Sequence, residues 1–134
     1  MPYPITDIRG IGTDAAAILK KEGIRTTIGL LRAATTPKQR IKIATKTRTD
    51  RKQVLDWVTA ADRMRVRGVG WEYAQLLGKA GVKTVSDLKL RNPENLVKKM
   101  EDANEGKLVR VLPKEKTVER WIESAKKLQP LIRY

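Results

Sequence analysis

Cysteine, histidine and phenylalanine are absent from this chain of 134 residues, and the aromatic residues are three Trp and three Tyr. Without cysteine there are no disulfides and no thiolate metal sites. Without histidine, the commonest general base and the commonest metal ligand are both missing. Catalysis would then rest on paired carboxylates, a lysine or a metal held by acids. The acids are scattered, and Glu101-Asp102 with Glu105 is their only cluster. No enzyme activity, catalytic residue, cofactor or metal is expected. Long apolar runs are missing too: none approaches the ~20 residues of a membrane span. The opening residues, Met1-Pro2-Tyr3-Pro4-Ile5-Thr6-Asp7, lack the basic and apolar regions of a signal peptide. The expectation is a cytoplasmic protein without membrane contact.

Negative charge is also scarce. Fifteen Asp and Glu stand against 29 Lys and Arg, a formal net charge of +14. Such an excess opposes a compact state by self-repulsion, so it points to an acidic partner. Nucleic acid is the first candidate and an acidic protein surface the second. A membrane surface ranks third, because no basic helix carries a bulky apolar face. The plain alternative is a lysine-rich coat, but thermophile surfaces raise Glu together with Lys, and this chain does not.

Two passages repeat each other. Ile8-Arg9-Gly10-Ile11-Gly12 is followed by Ala16, Leu19, Gly23 and Ile24. Val66-Arg67-Gly68-Val69-Gly70 is followed by Ala74, Leu77, Gly81 and Val82, all at a constant offset of 58 residues. Further on, Val54, Trp57, Val58, Ala61 and Met64 match Val118, Trp121, Ile122, Ala125 and Leu128 at an offset of 64. The second copy therefore holds six more residues, placed between Asn104 and Pro113. Two small repeats are expected to share one core. That gives a single unit over 1–134, with repeat one over about 4–65, repeat two over about 50–129, and the helix 50–66 common to both. The two Trp read as equivalent core residues, with exposed stacking as the other possibility.

Almost every segment reads as helix, with Gly, Pro or Thr stops and little alternation of period two. The fold class is all-α. A short helix over 4–9 precedes the Gly10 to Gly12 hairpin, and a helix from about Thr13 to Glu22 ends at Gly23. Thr26 caps the next helix. Thr36-Pro37 opens a helix to about Thr47 with Ile41 and Ala44 inside. Thr49 caps the helix 50–66. In the second copy a helix over 71–80 ends at Gly81, Thr84 caps a short helix, and Asn92-Pro93 starts another. Asn104-Glu105-Gly106 breaks it, and Leu108 to Leu112 is a loop. Pro113 or Thr117 opens the last helix, and Gln129 to Tyr134 is a tail.

The densest charge lies between Arg32 and Lys52. Arg32, Lys38, Arg40, Lys42, Lys46, Arg48, Arg51 and Lys52 face Asp50 alone, which makes half of the net charge in 21 residues. Lys38, Lys42 and Lys46, four apart, share one helix face. Such a face is the footprint of a polyanion contact, or else a solvated surface. Thr47-Arg48-Thr49 also has a faint helix-turn-helix look, although Arg48 stands where such turns favour Gly.

The pattern hydrophobe-x-Gly-hydrophobe-Gly-x-x-x-Ala-x-x-Leu, with Gly-hydrophobe after the helix, resembles the helix-hairpin-helix family. Its two copies look like the tandem arrangement of DNA repair, ligase and recombination proteins. Over nearly its full length the chain is similar to a bacterial domain-of-unknown-function family built on two such repeats. Met64 to Gly70, Arg91-Asn92-Pro93-Glu94-Asn95-Leu96, Lys107-Leu108-Val109-Arg110 and the ending in Tyr134 carry that likeness. The resemblance implies an all-α tandem helix-hairpin-helix fold with pseudo-two-fold halves. In DNA-binding relatives such hairpins grip the backbone without reading bases.

The second glycine of each hairpin opens a helix, whose unpaired N–H groups and positive dipole end could hold a phosphate. Asp14 and Glu72 in the first helical turns oppose that, and both hairpins could equally serve packing. Trp71 could wedge, stack or contact a protein. The expected function is non-enzymatic binding of nucleic acid, double-stranded DNA favoured, with little sequence preference. The expected contacts are Arg9, Gly10, Gly12 and Thr13, the basic residues Lys38, Arg40, Lys42, Lys46, Arg48, Arg51 and Lys52, and Arg67, Gly68 and Gly70 of the second copy. The alternative is a protein-interaction module whose basic face docks on an acidic partner, with Trp71 as a contact.

Overall fold

A computed structural model describes residues Tyr3 to Tyr134. Among them are eight helices and no strands: α1 (Thr13–Lys21), α2 (Thr27–Ala33), α3 (Pro37–Thr47), α4 (Arg51–Arg63), α5 (Trp71–Lys79), α6 (Val85–Leu88), α7 (Pro93–Ala103) and α8 (Glu115–Lys126). None of the described helices is long and apolar enough to cross a membrane. The chain divides into two compact units, one ending at Asp62 and joined by Leu131–Tyr134, the other running from Arg63 to Pro130.

Helix starts follow the local chemistry. The Thr26 hydroxyl accepts from the Gly29 N–H at 3.0 Å. Thr36 and Gln39 form a capping box, with Pro37 in the first turn. Thr84 and Asp87 form another, and Asn92 accepts from the Asn95 N–H ahead of Pro93. Three starts differ from the sequence expectation. The first helix shrinks to a 3-10 turn, Ile5–Asp7. Its flank is drawn into extended pairing instead, Ile5 N–H donating to the Arg25 carbonyl and Thr27 N–H to that of Tyr3. Asp50, not Thr49, caps α4, its carboxylate accepting from the Lys52 N–H at 3.1 Å. The last helix opens neither at Pro113 nor at Thr117 but at Glu115, after Lys114, which makes no side-chain cap bond.

Within each unit the sequence repeat returns bond for bond. In the first, Ile11 N–H donates to Ile8, Ala16 N–H to Gly12 and Ile24 N–H to Leu19. In the second, Val69 donates to Val66, Ala74 to Gly70 and Val82 to Leu77. Gly23 and Gly81 stop α1 and α5 at φ +82° and +96°. The tryptophans tie the two offsets together. Trp57 and Trp121 are each only 3 % exposed, so both are core residues. A Cβ on Gly10 would stand 3.3 Å from the Trp57 indole nitrogen, and one on Gly68 would stand 3.4 Å from that of Trp121. The first glycine of each hairpin thus lies where the chain passes an indole edge, tightly at Gly10, and Gly68 is required by its φ of +91°.

The first core gathers Ile5, Ile8, Leu19, Leu30, Leu31 and Val54; the second gathers Leu76, Leu77, Leu88, Leu96 and Met100. Arg63 is buried in the second unit, donating to the Ala74 carbonyl at 2.7 Å and the Lys83 carbonyl at 3.0 Å.

Candidate nucleic-acid interface

The basic run is built on α3 and α4 of the first unit, and its geometry starts from which face of α3 turns inward. Arg40, Ile43, Ala44 and Thr47 are the buried positions, one helical stripe. Ile41, expected inside, is 42 % exposed. Arg40 takes the inward place and is 6 % exposed. Its guanidinium donates to the carbonyls of Ala34 at 3.1 Å, Thr35 at 3.0 Å and Arg133 at 2.7 Å. Burial pushes its pKa below the ordinary arginine value, with Tyr134 acting the other way. Arg40 is therefore a structural clamp and no part of the exposed basic face. The tail is likewise held rather than loose, since Arg133 N–H also donates to the Thr35 carbonyl at 2.7 Å.

The other cations of the run, Arg32, Lys38, Lys42, Lys46, Arg48, Arg51 and Lys52, are exposed. Four of them line two grooves, Lys42 and Lys46 one, Arg51 and Lys52 the other. One, of about 280 Å³, has an apolar lining from Ile18, Ile24, Ala33 and Ile43, with Lys42, Lys46 and Glu22 around it. There Lys46 forms an ion pair with Glu22. The hydrogen bond and charge of Lys46, with the charge of Lys42, hold the Glu22 carboxyl below the usual carboxylate range. Lys46 is thus already engaged. The second groove, of about 400 Å³, lies between the starts of α3 and α4 and is lined by Pro37, Ile41, Leu55, Asp50, Arg51 and Lys52, with Arg40 beneath. Among the described residues, Lys38, Lys42, Arg48, Arg51 and Lys52 form no ion pair with a carboxylate.

Over residues 9–128 the chain matches the model of a family described as Domain of unknown function (DUF4332). It belongs to that family. No curated protein matches the chain, and no solved structure matches it.

In this DUF4332 chain two local features set the basic residues apart from an ordinary coat. The first turns of α3 and α4 contain no acid, and they carry Lys38 in one and Arg51 and Lys52 in the other. Cations at a helix N-terminus oppose the dipole, at about 0.3–1 kcal/mol each. Between the two helices Arg48 sits in the left-handed region, φ 55°. For a non-glycine residue that costs roughly 1–2 kcal/mol. Arg48 is also the C-cap that stops α3, with the Thr49 N–H returning to the Ala44 carbonyl at 2.9 Å, so an exposed cation stands where a glycine would serve at lower cost.

The hairpin residues are placed as follows. Arg9, Gly10, Gly12 and Thr13 are exposed, and Gly12 is the N-cap of α1 with no side chain to accept from the first turn. Arg67 and Gly68 are exposed, and Gly70 is half-buried as the N-cap of α5. Trp71 is half-buried at the first position of α5. Asp14 and Glu72 lie in the first turns of α1 and α5. The described residues contain no group of three or more acids able to hold a metal.

Sequence reasoning missed the Lys46–Glu22 pair and the exposed Ile41 beside Leu55. The spacing Arg40, Ile43, Ala44, Thr47 was the available signal for the second, obscured because an arginine stands at its head.

Proposed function

We propose that this protein is a non-enzymatic nucleic-acid-binding protein that holds the backbone of double-stranded DNA with little sequence preference. The observation that carries the reading is the set of exposed cations at the starts of α3 and α4, placed against the helix dipoles and around a strained Arg48. A surface selected for stability alone would put acids in those turns, whereas α3 has none at its start and α4 has only the Asp50 cap ahead of Arg51 and Lys52. A polyanion repays the cost, because each phosphate neutralised releases condensed counterions. Lys38, Lys42, Arg48, Arg51 and Lys52 are the main contacts, and Lys46 is secondary because of Glu22. The two glycine turns are read as helix-hairpin-helix hairpins, with the exposed Gly10–Thr13 turn as the better grip and the second turn, with Glu72 and Trp71, mainly bracing.

A second reading has one specific observation in its favour. The groove beside Arg51 and Lys52 has an apolar floor of Ile41 and Leu55. An acidic protein segment with an apolar side would match that mixture.

Reversing Arg51 and Lys52 to Glu separates the surface from the fold. Acids in the first turn of α4 suit its dipole, so Arg51→Glu with Lys52→Glu should keep or raise the melting temperature. The same change should remove most duplex affinity in an electrophoretic shift. Unchanged duplex binding by this variant means the α3–α4 face is not the site.

A further inference from the structure

The six additional residues of the second copy fall between Asn104 and Pro113, and they form a built loop. A 3-10 turn, Asn104–Gly106, ends on Lys107 in the left-handed region at φ 53°. The Asn104 side chain then holds the main chain of Val109 twice. Its Oδ1 accepts from the Val109 N–H at 3.0 Å, and its Nδ2 donates to the Val109 carbonyl at 3.2 Å. The Tyr73 hydroxyl donates to the Val111 carbonyl at 3.0 Å, and the Tyr73 ring lies against Trp121 with centroids 5.3 Å apart. Val109 and Pro113 are buried anchors. Between them Arg110 is exposed and Val111 is 71 % exposed, with Lys107 and Lys114 exposed at the two ends.

The anchors favour the folded loop, but what they hold out in solvent opposes folding. Ordering a loop costs chain entropy. A valine held in water gains nothing from burial. Lys107 adds the cost of a left-handed lysine, and among the described residues Lys107, Arg110 and Lys114 form no ion pair, although Glu105 and Glu115 flank them in the chain. An anionic partner with an apolar strip would offset all of them, and the duplex minor groove offers phosphates beside sugar edges.

We propose that the Lys107–Lys114 loop is a second contact for double-stranded DNA, made by residues distinct from those of the α3–α4 face. Lys107, Arg110 and Lys114 meet phosphates, and Val111 lies against the sugar edge. This rests on the reading that the protein binds DNA.

The test uses the full chain, a duplex probe and a salt series. Arg110→Gln with Lys114→Gln removes two phosphate contacts, so the slope of log K against log salt should flatten by about 1.8, with affinity at least about tenfold weaker near 100 mM salt. Val111→Ser should weaken binding severalfold and leave the slope as it is. All three side chains are exposed, so thermal melts should match wild type. If both variants keep wild-type affinity and slope while Arg51→Glu with Lys52→Glu loses binding, the loop is not a contact, although the DNA reading stands. A wild-type chain that binds no duplex overturns both.

Discussion

Replacing Arg40 by Met tests whether this cation serves the fold. Methionine can fill the space without donors. The Ala34 carbonyl, in a buried bond, then loses the guanidinium. Leaving such an acceptor unsatisfied costs about 1–3 kcal/mol. The Thr35 carbonyl keeps Arg133 N–H as a partner, and the part-buried Arg133 carbonyl can turn to water. Adding the loss of two charge-assisted bonds that are partly made good gives about 2–4 kcal/mol in all. For a chain of this size that is roughly 8–16 °C in melting temperature. Circular dichroism melts measure it directly. Hydrogen exchange at the Arg133 amide supplies a local readout, because its bond to Thr35 lies beside the clamp, and exchange should accelerate. Duplex affinity measured well below the melting temperature should stay near wild type. A melt within about 1 °C of wild type, with Arg133 still protected and DNA affinity lost, would place Arg40 in the interface and refute the clamp.

Four further outcomes follow from the same geometry. Gly10→Ala should cost about 1–2 kcal/mol, because its Cβ meets the Trp57 indole at 3.3 Å. Gly12→Ser has open space and an extended backbone at φ −72°, so melts should be unchanged while duplex affinity falls if a phosphate approaches that turn. Arg48→Gly should stabilise the protein by about 1 kcal/mol in a denaturant titration and weaken duplex binding; stabilisation without any loss of binding would remove Arg48 from the surface. The lowered Glu22 pKa means that the ion pair with Lys46 stabilises above the unfolded carboxylate range and is lost as pH falls through the folded value. The melting difference between wild type and Glu22→Gln should therefore close in acid, and a difference independent of pH would contradict that linkage.

What the sequence made legible was local. The caps at Thr26, Thr36, Thr84 and Asn92, and the stops at Gly23 and Gly81, depend on neighbours three or four residues away, and all are found where the residues place them. The paired Trp were legible because a repeat preserves core positions. What escaped was tertiary. Arg40 reads as surface charge until two main-chain carbonyls just ahead of α3 and one from the distant tail close around it. Ile41 reads as core because isoleucine is apolar, yet the buried stripe runs one position earlier. Lys46 reads as a free cation because Glu22 stands 24 residues away in the chain. Asp50 and Thr49 are both good caps, and only the register of α4 decides between them. The exposed cations at Lys38, Lys42, Arg48, Arg51 and Lys52 were readable from charge density. The grooves lined by Lys42 on one side and by Arg51 and Lys52 on the other were not.

The salt dependence of duplex affinity tests the central claim most directly. If about five phosphates are held by the α3–α4 cations and the glycine turn, binding should weaken by more than ~10²-fold between 50 and 200 mM salt, with similar values for unrelated duplex sequences. Absence of binding at 50 mM salt, or an affinity that barely changes across the series, would contradict the account.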